Sequence, residues 1–307
     1  MTTAAEAAEG ARPVARPTSR MRRLKKSRWG RVVARTPFYL LVALIFVYCL
    51  FPFYWVLRSS FTPEVKLFQT PVKYIPSPFT LANYREVLSA SFFTDALLNS
   101  VIVAGSVTLL SLAIGASAAF ALGRFRFHGR SFVMYLMLSM TIFPQIAILG
   151  ALYTTISKFH LYDTLGALIF SYLIFTLPFT IWVLTSFMRA LPGDLEEAAY
   201  VDGATPLQVF WKVLLPLIAP GLVTTGLLAF ISAWNEYLYA LSFIQSPGKY
   251  TVPLAITSFV SKTGSAFAVP WGQIMAATVI ITMPLIILVL ILQKRIIAGL
   301  TAGAVKG

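Results

Sequence analysis

Only 11 of the 307 residues are Asp or Glu, against 25 Lys or Arg, so carboxylate chemistry has few possible locations. Two places stand out. Asp194, Glu196, Glu197 and Asp202 crowd one short segment, LPGDLEEAAYVDGATP. Glu236 stands alone in the aromatic run WNEYLYAL (Trp234–Leu241), beside Asn235 and among Trp234, Tyr237 and Tyr239. Neither place holds a catalytic set. The chain lacks GxxxxGK[ST], so it has no P-loop for nucleotide phosphates. His128 and His160 are far apart and on opposite predicted sides of the chain, so no histidine-based metal site is expected. No Ser/His/Asp set shares a plausible location. The one cysteine, Cys49, lies in an apolar run and excludes a disulfide scaffold. The reading is of a chain that is not an enzyme and binds no cofactor or metal itself.

The elements that carry these residues belong in a bilayer. Hydrophobic residues are 58 % and charged residues 12 %, far from a water-covered globule, which needs about 25 % charge. A spanning helix takes about 20 mainly apolar residues. Thr36–Leu57 supplies the first, and apolar runs follow at about Ala96–Leu122, Ser131–Ser157, Thr164–Met188, Leu217–Ile244 and Trp271–Leu292. The expectation is an all-α membrane protein with six transmembrane helices. Pro144, Pro178 and Pro284 can kink helices three, four and six. Ala104, Gly105, Ala113, Gly115 and Ala116 permit close packing of helix two.

The net charge of +14 is a topology signal rather than a nucleic-acid signal, because ten basic residues precede residue 36 and abut the first apolar run. Placing both termini in the cytoplasm puts 18 basic residues inside and 7 outside. Residues 1–35 are then a basic cytoplasmic leader: 1–20 disordered, 21–35 either an interfacial helix with Leu24, Trp29 and Val32 toward lipid or a solvated strip. Residues 36–95 hold the first span and a proline-rich external loop ending in the helix-like ANYREVL, Ala82–Leu88. Residues 96–292 form the core, and 293–307 a small-residue cytoplasmic tail, disordered by composition.

The segment 191–216 is the most informative. Asp194 and Glu197 have the spacing of an N-cap and its N3 partner. Gly203 is placed to end that helix in a left-handed conformation. A second helix starts at once, with Thr205 as N-cap, Pro206 at N1 and Gln208 at N3, and stops near Leu215–Pro216. Ala198, Ala199 and Gly203 let another surface approach closely, while Glu196, Glu197 and Asp202 present carboxylates. Two readings stand: a rigid knob that docks in a groove of a cytoplasmic partner, or an amphipathic loop on lipid headgroups.

Glu197-Ala198-Ala199, then Gly203, Val213 and Leu215-Pro216, resembles the EAA loop of ABC-importer permeases. Val213 replaces the more usual isoleucine. WNEYLYAL resembles a helix-five motif of carbohydrate permeases, and GLTAGAVKG (Gly299–Gly307) resembles the tail of the maltose-permease (MalG-like) type. The similarity runs from about residue 36 to the end. It implies a type I importer (MetI-like) permease in a bacterial plasma (inner) membrane. It also implies a second, related permease subunit (MalF-like), a dimer of ATPase subunits (MalK-like) that carries ATP and Mg, and an extracytoplasmic sugar-binding protein. On the resemblance, Glu196, Glu197, Ala198, Ala199, Asp202, Gly203, Leu215 and Pro216 couple to the ATPase. Thr301, Lys306 and Gly307 in the tail reach the ATPase dimer.

The implied cargo is a di- or oligosaccharide. Aromatic rings stack on sugars while Asn and carboxylates bond their hydroxyls, so Trp234, Asn235, Glu236, Tyr237 and Tyr239 form a candidate substrate path or gate. On a continuous helix, Trp234 and Tyr237 share one face and Asn235 and Tyr239 another, so all five cannot meet one ligand. The alternative is that Asn235 and Glu236 bond neighbouring helices as polar glue. Two other functions stay open: an ABC permease for a non-sugar solute, and an ion-coupled secondary carrier using Glu236.

Overall fold

The computed structural model describes residues 28–262 and 269–304, with the side chains of 28–35, 261–262 and 295–304 left undescribed. The leader segments before residue 28, expected to be disordered or interfacial, lie outside the described residues. The described chain is helical, in two compact units divided after Pro52.

The first unit contributes the start of α1 (Arg28–Ser60). Its side chains from Thr36 to Pro52 are all exposed and nearly all apolar. A helix that is apolar all round belongs in lipid. Within the second unit α1 ends at Ser60, and a proline-rich cap follows. The cap contains α2 (Ala82–Ser89), the helix expected at ANYREVL. Asn83 Nδ2 donates to the carbonyls of Ser60 (2.9 Å) and Thr62 (3.0 Å). Glu64 accepts from the N–H groups of Trp271 (2.9 Å) and Gly272 (2.7 Å), which caps the last helix, α13 (Trp271–Ala304).

The core is built on α3 (Ser91–Arg124) and α6 (Leu165–Ala190). Gly115 sets their approach: a Cβ there would lie 2.7 Å from Thr180 Cγ2. Ala104 and Ala116 are buried with it, whereas Ala113 is exposed and Gly105 faces open space, so the small-residue stripe is used only in part.

Four described helices are long and apolar enough to cross a membrane, or up to six if each of two bent pairs counts as one span. The first bent pair is α4 (Arg130–Ile142) with α5 (Gln145–Lys158), turned by 99° at Phe143–Pro144. Expected helix three is therefore not continuous. Proline disfavours helical geometry in the residue before it, and Phe143 sits at φ −70°, ψ 131°. Pro178 and Pro284, by contrast, lie inside α6 and α13 without ending them. The second pair is bent by 75° between residues 217 and 219. Helix α13 runs to Ala304, so most of the tail that composition suggested was disordered is helical.

Candidate functional site

The first candidate site is an elbow that follows α6. Helix α7 (Asp194–Val201) begins one residue earlier than the spacing suggested. Its first carbonyl acceptor is Gly193, which takes the N–H groups of Glu196 (2.9 Å) and Glu197 (3.2 Å). Asp194 is thus already inside the helix and caps nothing; it joins Glu196 and Glu197 in the first turn, where carboxylates oppose the positive end of the helix dipole. At the other end Gly203 has φ 81°. Its N–H donates to Tyr200 O (3.0 Å) and that of Ala204 to Ala199 O (3.0 Å), the paired bonds of a Schellman ending.

The second arm starts with a complete capping box. Thr205 Oγ1 accepts from Gln208 N, and Gln208 Oε1 accepts from Thr205 N. The arm comprises α8 (Pro206–Gln208), a π-helical turn (Val209–Leu214) and α9 (Leu215–Leu217). Val209, Phe210 and Leu214 pack under Ala116, Ala119, Leu184 and Met188, at the ends of α3 and α6. Arg124, the last residue of α3, pairs with Glu196 at 2.6 Å and bonds Leu191 O at 3.1 Å. The elbow is therefore fixed to the two central helices by a buried apolar base and an ion pair.

Its outer surface is open. Glu197, Ala198, Asp202, Gly203 and Pro216 are exposed, with Ala199 and Leu215 half-buried. Val201 (88 %), Leu207 (66 %) and Trp211 (59 %) are also exposed. Sequence reasoning missed these three apolar side chains, although the apolar character of the second arm was the signal for Leu207 and Trp211. Glu196 is half-buried and is engaged by Arg124. Of the tail residues, Thr301 lies on α13, and Lys306 and Gly307 are outside the described residues.

The second candidate site is an open cavity of about 680 Å³ beside α6. Expected helix five breaks here. Helix α10 (Ala219–Trp234) stops, Asn235 to Tyr237 turn, and α11 (Leu238–Phe243) restarts. The break removes the helical-face argument. Asn235, Glu236 and Tyr237 line the cavity with Thr176, Thr180 and Ser232. Trp234 and Tyr239 do not. Trp234 is buried and stacks on Phe230 at 5.6 Å. Tyr239 is buried between Phe175 (5.4 Å) and Phe243 (5.6 Å), and its hydroxyl donates to Gln145 O at 2.9 Å. The aromatic residues of the motif thus divide between packing and cavity.

Glu236 explains the break. Its two oxygens accept the N–H groups of Tyr239 (2.8 Å) and Ala240 (3.2 Å), so the carboxylate caps α11. The other end of α11 is held by Asp163, in the turn before α6. Asp163 accepts from Gln245 N, Ser246 N (both 2.9 Å), Ser246 Oγ (2.5 Å) and Lys249 Nζ (3.0 Å). Two carboxylates therefore fix one short helix against the cavity. Burial pushes the Asp163 carboxyl up, but the bonds from Ser246, Gln245 and Lys249 outweigh it and hold the group well below the ordinary value of 3.8. A depressed carboxylate stabilises the fold fully above its unfolded pKa and loses that contribution as pH falls through the lower folded value. Asp163→Asn is therefore expected to lower the melting temperature by a constant amount from pH 7 down to about pH 4, with the gap closing below that. Melting curves of the purified protein across that range check it; a gap that widens in acid contradicts it.

Among the described residues no group of three His, Cys, Asp or Glu is placed to hold a metal ion. What the geometry offers is a cavity of mixed polar and apolar lining, a short clamped helix and a stiff projecting elbow. Residues 111–301 match the family described as binding-protein-dependent transport system inner membrane component. The chain belongs to that family. It is 43 % identical over 265 residues to the trehalose transport system permease protein SugB of Mycobacterium tuberculosis, covering 86 % of this chain and 95 % of the relative. It is 42 % identical over 266 residues to the trehalose/maltose transport system permease protein MalG of Thermococcus litoralis, covering 86 % and 94 %. The diacetylchitobiose uptake system permease protein DasC of Streptomyces coelicolor is 35 % identical over 92 % of this chain and all of the relative. The fold is also that of a chain in the crystal structure of a bacterial ABC transporter involved in the import of the acidic polysaccharide alginate. There the TM-score is 0.75 at 22 % identity, over 88 % of this chain and 98 % of the other. The permease is thus membrane-embedded and all-helical, of the MetI-like type.

Proposed function

We propose that this permease forms half of the translocation pathway of an ATP-driven importer for a di- or oligosaccharide. The observation that carries the reading is the elbow: two short helices joined at Gly203, anchored on α3 and α6, with Glu197, Ala198, Val201 and Asp202 exposed. A stiff projection of this kind suits a cleft in a separate ATPase subunit, and supports the coupling role over a loop lying on headgroups. Six spans with both termini cytoplasmic put the elbow on the side where ATP is available. The surplus of basic residues in the leader and the short inner loops favours that orientation.

The partners in this reading are a second, related permease, a dimer of ATPase subunits holding ATP and Mg, and an extracytoplasmic sugar-binding protein, in a bacterial plasma membrane. This chain binds no cofactor. Its relatives named for trehalose, maltose and diacetylchitobiose support a small glycan as cargo. The cavity walls, with Thr176, Thr180, Ser232 and Asn235, offer the hydroxyls and amide that sugar hydroxyls need. The engagement of both Glu236 oxygens by backbone N–H groups argues against a free ion-coupling carboxylate.

Reconstitution tests the whole reading. Proteoliposomes holding both permeases and the ATPase are expected to take up labelled trehalose or maltose only with the binding protein and internal ATP. Uptake by this chain alone under a proton or sodium gradient contradicts it.

A further inference from the structure

The turn between α3 and α4 gathers basic charge to which the importer reading gives a part in orientation but no ligand. Arg124, Arg126, Arg130 and Arg189 converge there. Two of them finish α3: Arg130 Nη2 donates to Gly123 O (3.2 Å) and Arg189 Nη2 to Leu122 O (3.3 Å). Arg124 is paired with Glu196. That is the one ion pair at this turn among the described residues, so the cluster keeps a surplus of three positive charges. Arg126 is exposed and makes no ion pair among the described residues. Arg130 Nε is buried without a hydrogen-bond partner.

Beside these groups lies a cavity of about 330 Å³, lined by Arg126, Phe127, Gly129, Arg130 and Ser131. Gly129, at φ 87°, turns the chain so that α4 starts at the cavity wall. That start has no side-chain cap, so N–H groups of its first turn remain available to an anion. Guanidinium groups, a hydroxyl and an uncapped helix start are the donors that phosphate oxygens require.

The surroundings select the phosphate's carrier. The cavity sits where α3, a candidate membrane span, ends. Along α4 from the cavity, Phe132 (70 %) and Tyr135 (72 %) are exposed, with Leu136 beside them. An acyl chain can lie on that face while its headgroup occupies the basic cavity, whereas a soluble anion has no use for it. We propose that the α3–α4 turn binds the phosphate of an anionic phospholipid through Arg126, Arg130 and Ser131. Arg189 adds field without direct contact. Because Arg124 and Arg189 flank the elbow, the bound lipid would steady the end of α3 from which the elbow hangs.

Native mass spectrometry of the assembled transporter, titrated with phosphatidylglycerol or with phosphatidylcholine, tests this. The wild-type complex is expected to retain phosphatidylglycerol selectively. Arg126→Gln should weaken that retention about five-fold, the worth of one basic residue near an anionic surface, and Arg126→Lys much less. Arg126 supports no described contact, so the variant should assemble normally; Ser131→Ala is the second variant, with the same direction expected. Unchanged retention in both variants overturns the proposal. So does displacement of the lipid by millimolar inorganic phosphate, which makes the site one for a soluble anion. Loss of the ATPase subunit from Arg126→Gln with lipid retention intact overturns it too, since the turn would then be a protein contact. Lipid retention is read without sugar or ATP, so its failure is distinct from failure of the importer reading.

Discussion

Gly203→Pro is expected to leave the permease in the membrane and to cut coupled uptake about ten-fold or more. Proline holds φ near −65° and has no N–H. Gly203 needs φ 81° and donates its N–H to Tyr200 O. The substitution therefore breaks the joint between the two arms of the elbow. It does not reach the α3–α6 core, which is held by contacts such as Gly115 against Thr180. A graded control follows. A Cβ at Gly203 would meet nothing within 4 Å, so Gly203→Ala adds only the left-handed backbone cost, about 1–2 kcal/mol, and should reduce uptake less. Uptake of labelled disaccharide by cells carrying the complete transporter, with the membrane level of the permease measured in parallel, checks both. Normal uptake by Gly203→Pro would remove the elbow from the coupling mechanism.

The second large effect is expected at Glu236. Changing it to alanine leaves the N–H groups of Tyr239 and Ala240 without their acceptor in a buried place. Each orphaned group costs about 1–3 kcal/mol. Helix α11 then loses its start, and with it the stack of Tyr239 on Phe243 and on Phe175, the ring of the three that lines the cavity. Glu236→Ala should lower the melting temperature and abolish uptake together. Glu236→Gln keeps one acceptor oxygen and the same shape but orphans one of the two N–H groups, so it should lose less of both than Glu236→Ala. A coupling-ion site predicts a different pair of results: stability held in both variants, and uptake lost in glutamine and alanine alike. Melting curves and uptake assays on the two variants separate a capping carboxylate from an ion-binding one.

The parts of the elbow that were legible in the sequence are those set by neighbours within a few residues. Thr205, Pro206 and Gln208 form a capping box from local spacing alone, and a glycine at a helix end points to a left-handed residue by sterics. The same local reasoning placed the cap of α7 one residue late, because a helix start needs no side-chain cap when the preceding carbonyl, here Gly193 O, already takes the first bonds.

Hydropathy located the apolar segments, since burying backbone in lipid demands long apolar helices. It could not show where two of them break. Proline is present at an unbroken site (Pro178) and at a broken one (Pro144), so the residue type does not decide the outcome. At 235–237 there is neither proline nor glycine; the break exists because Glu236 folds back on the next turn's N–H groups and because Tyr239 finds its partners on α5 and α6. Pairings of distant segments were equally hidden: Arg124 with Glu196, Asp163 with Ser246 and Lys249, Glu64 with the start of α13. Composition and short-range spacing thus determined that this is a bundle of membrane helices with a hinged elbow. Only the tertiary structure decided which carboxylates hold the backbone and which remain exposed, because a charge in an apolar interior goes wherever the fold supplies donors.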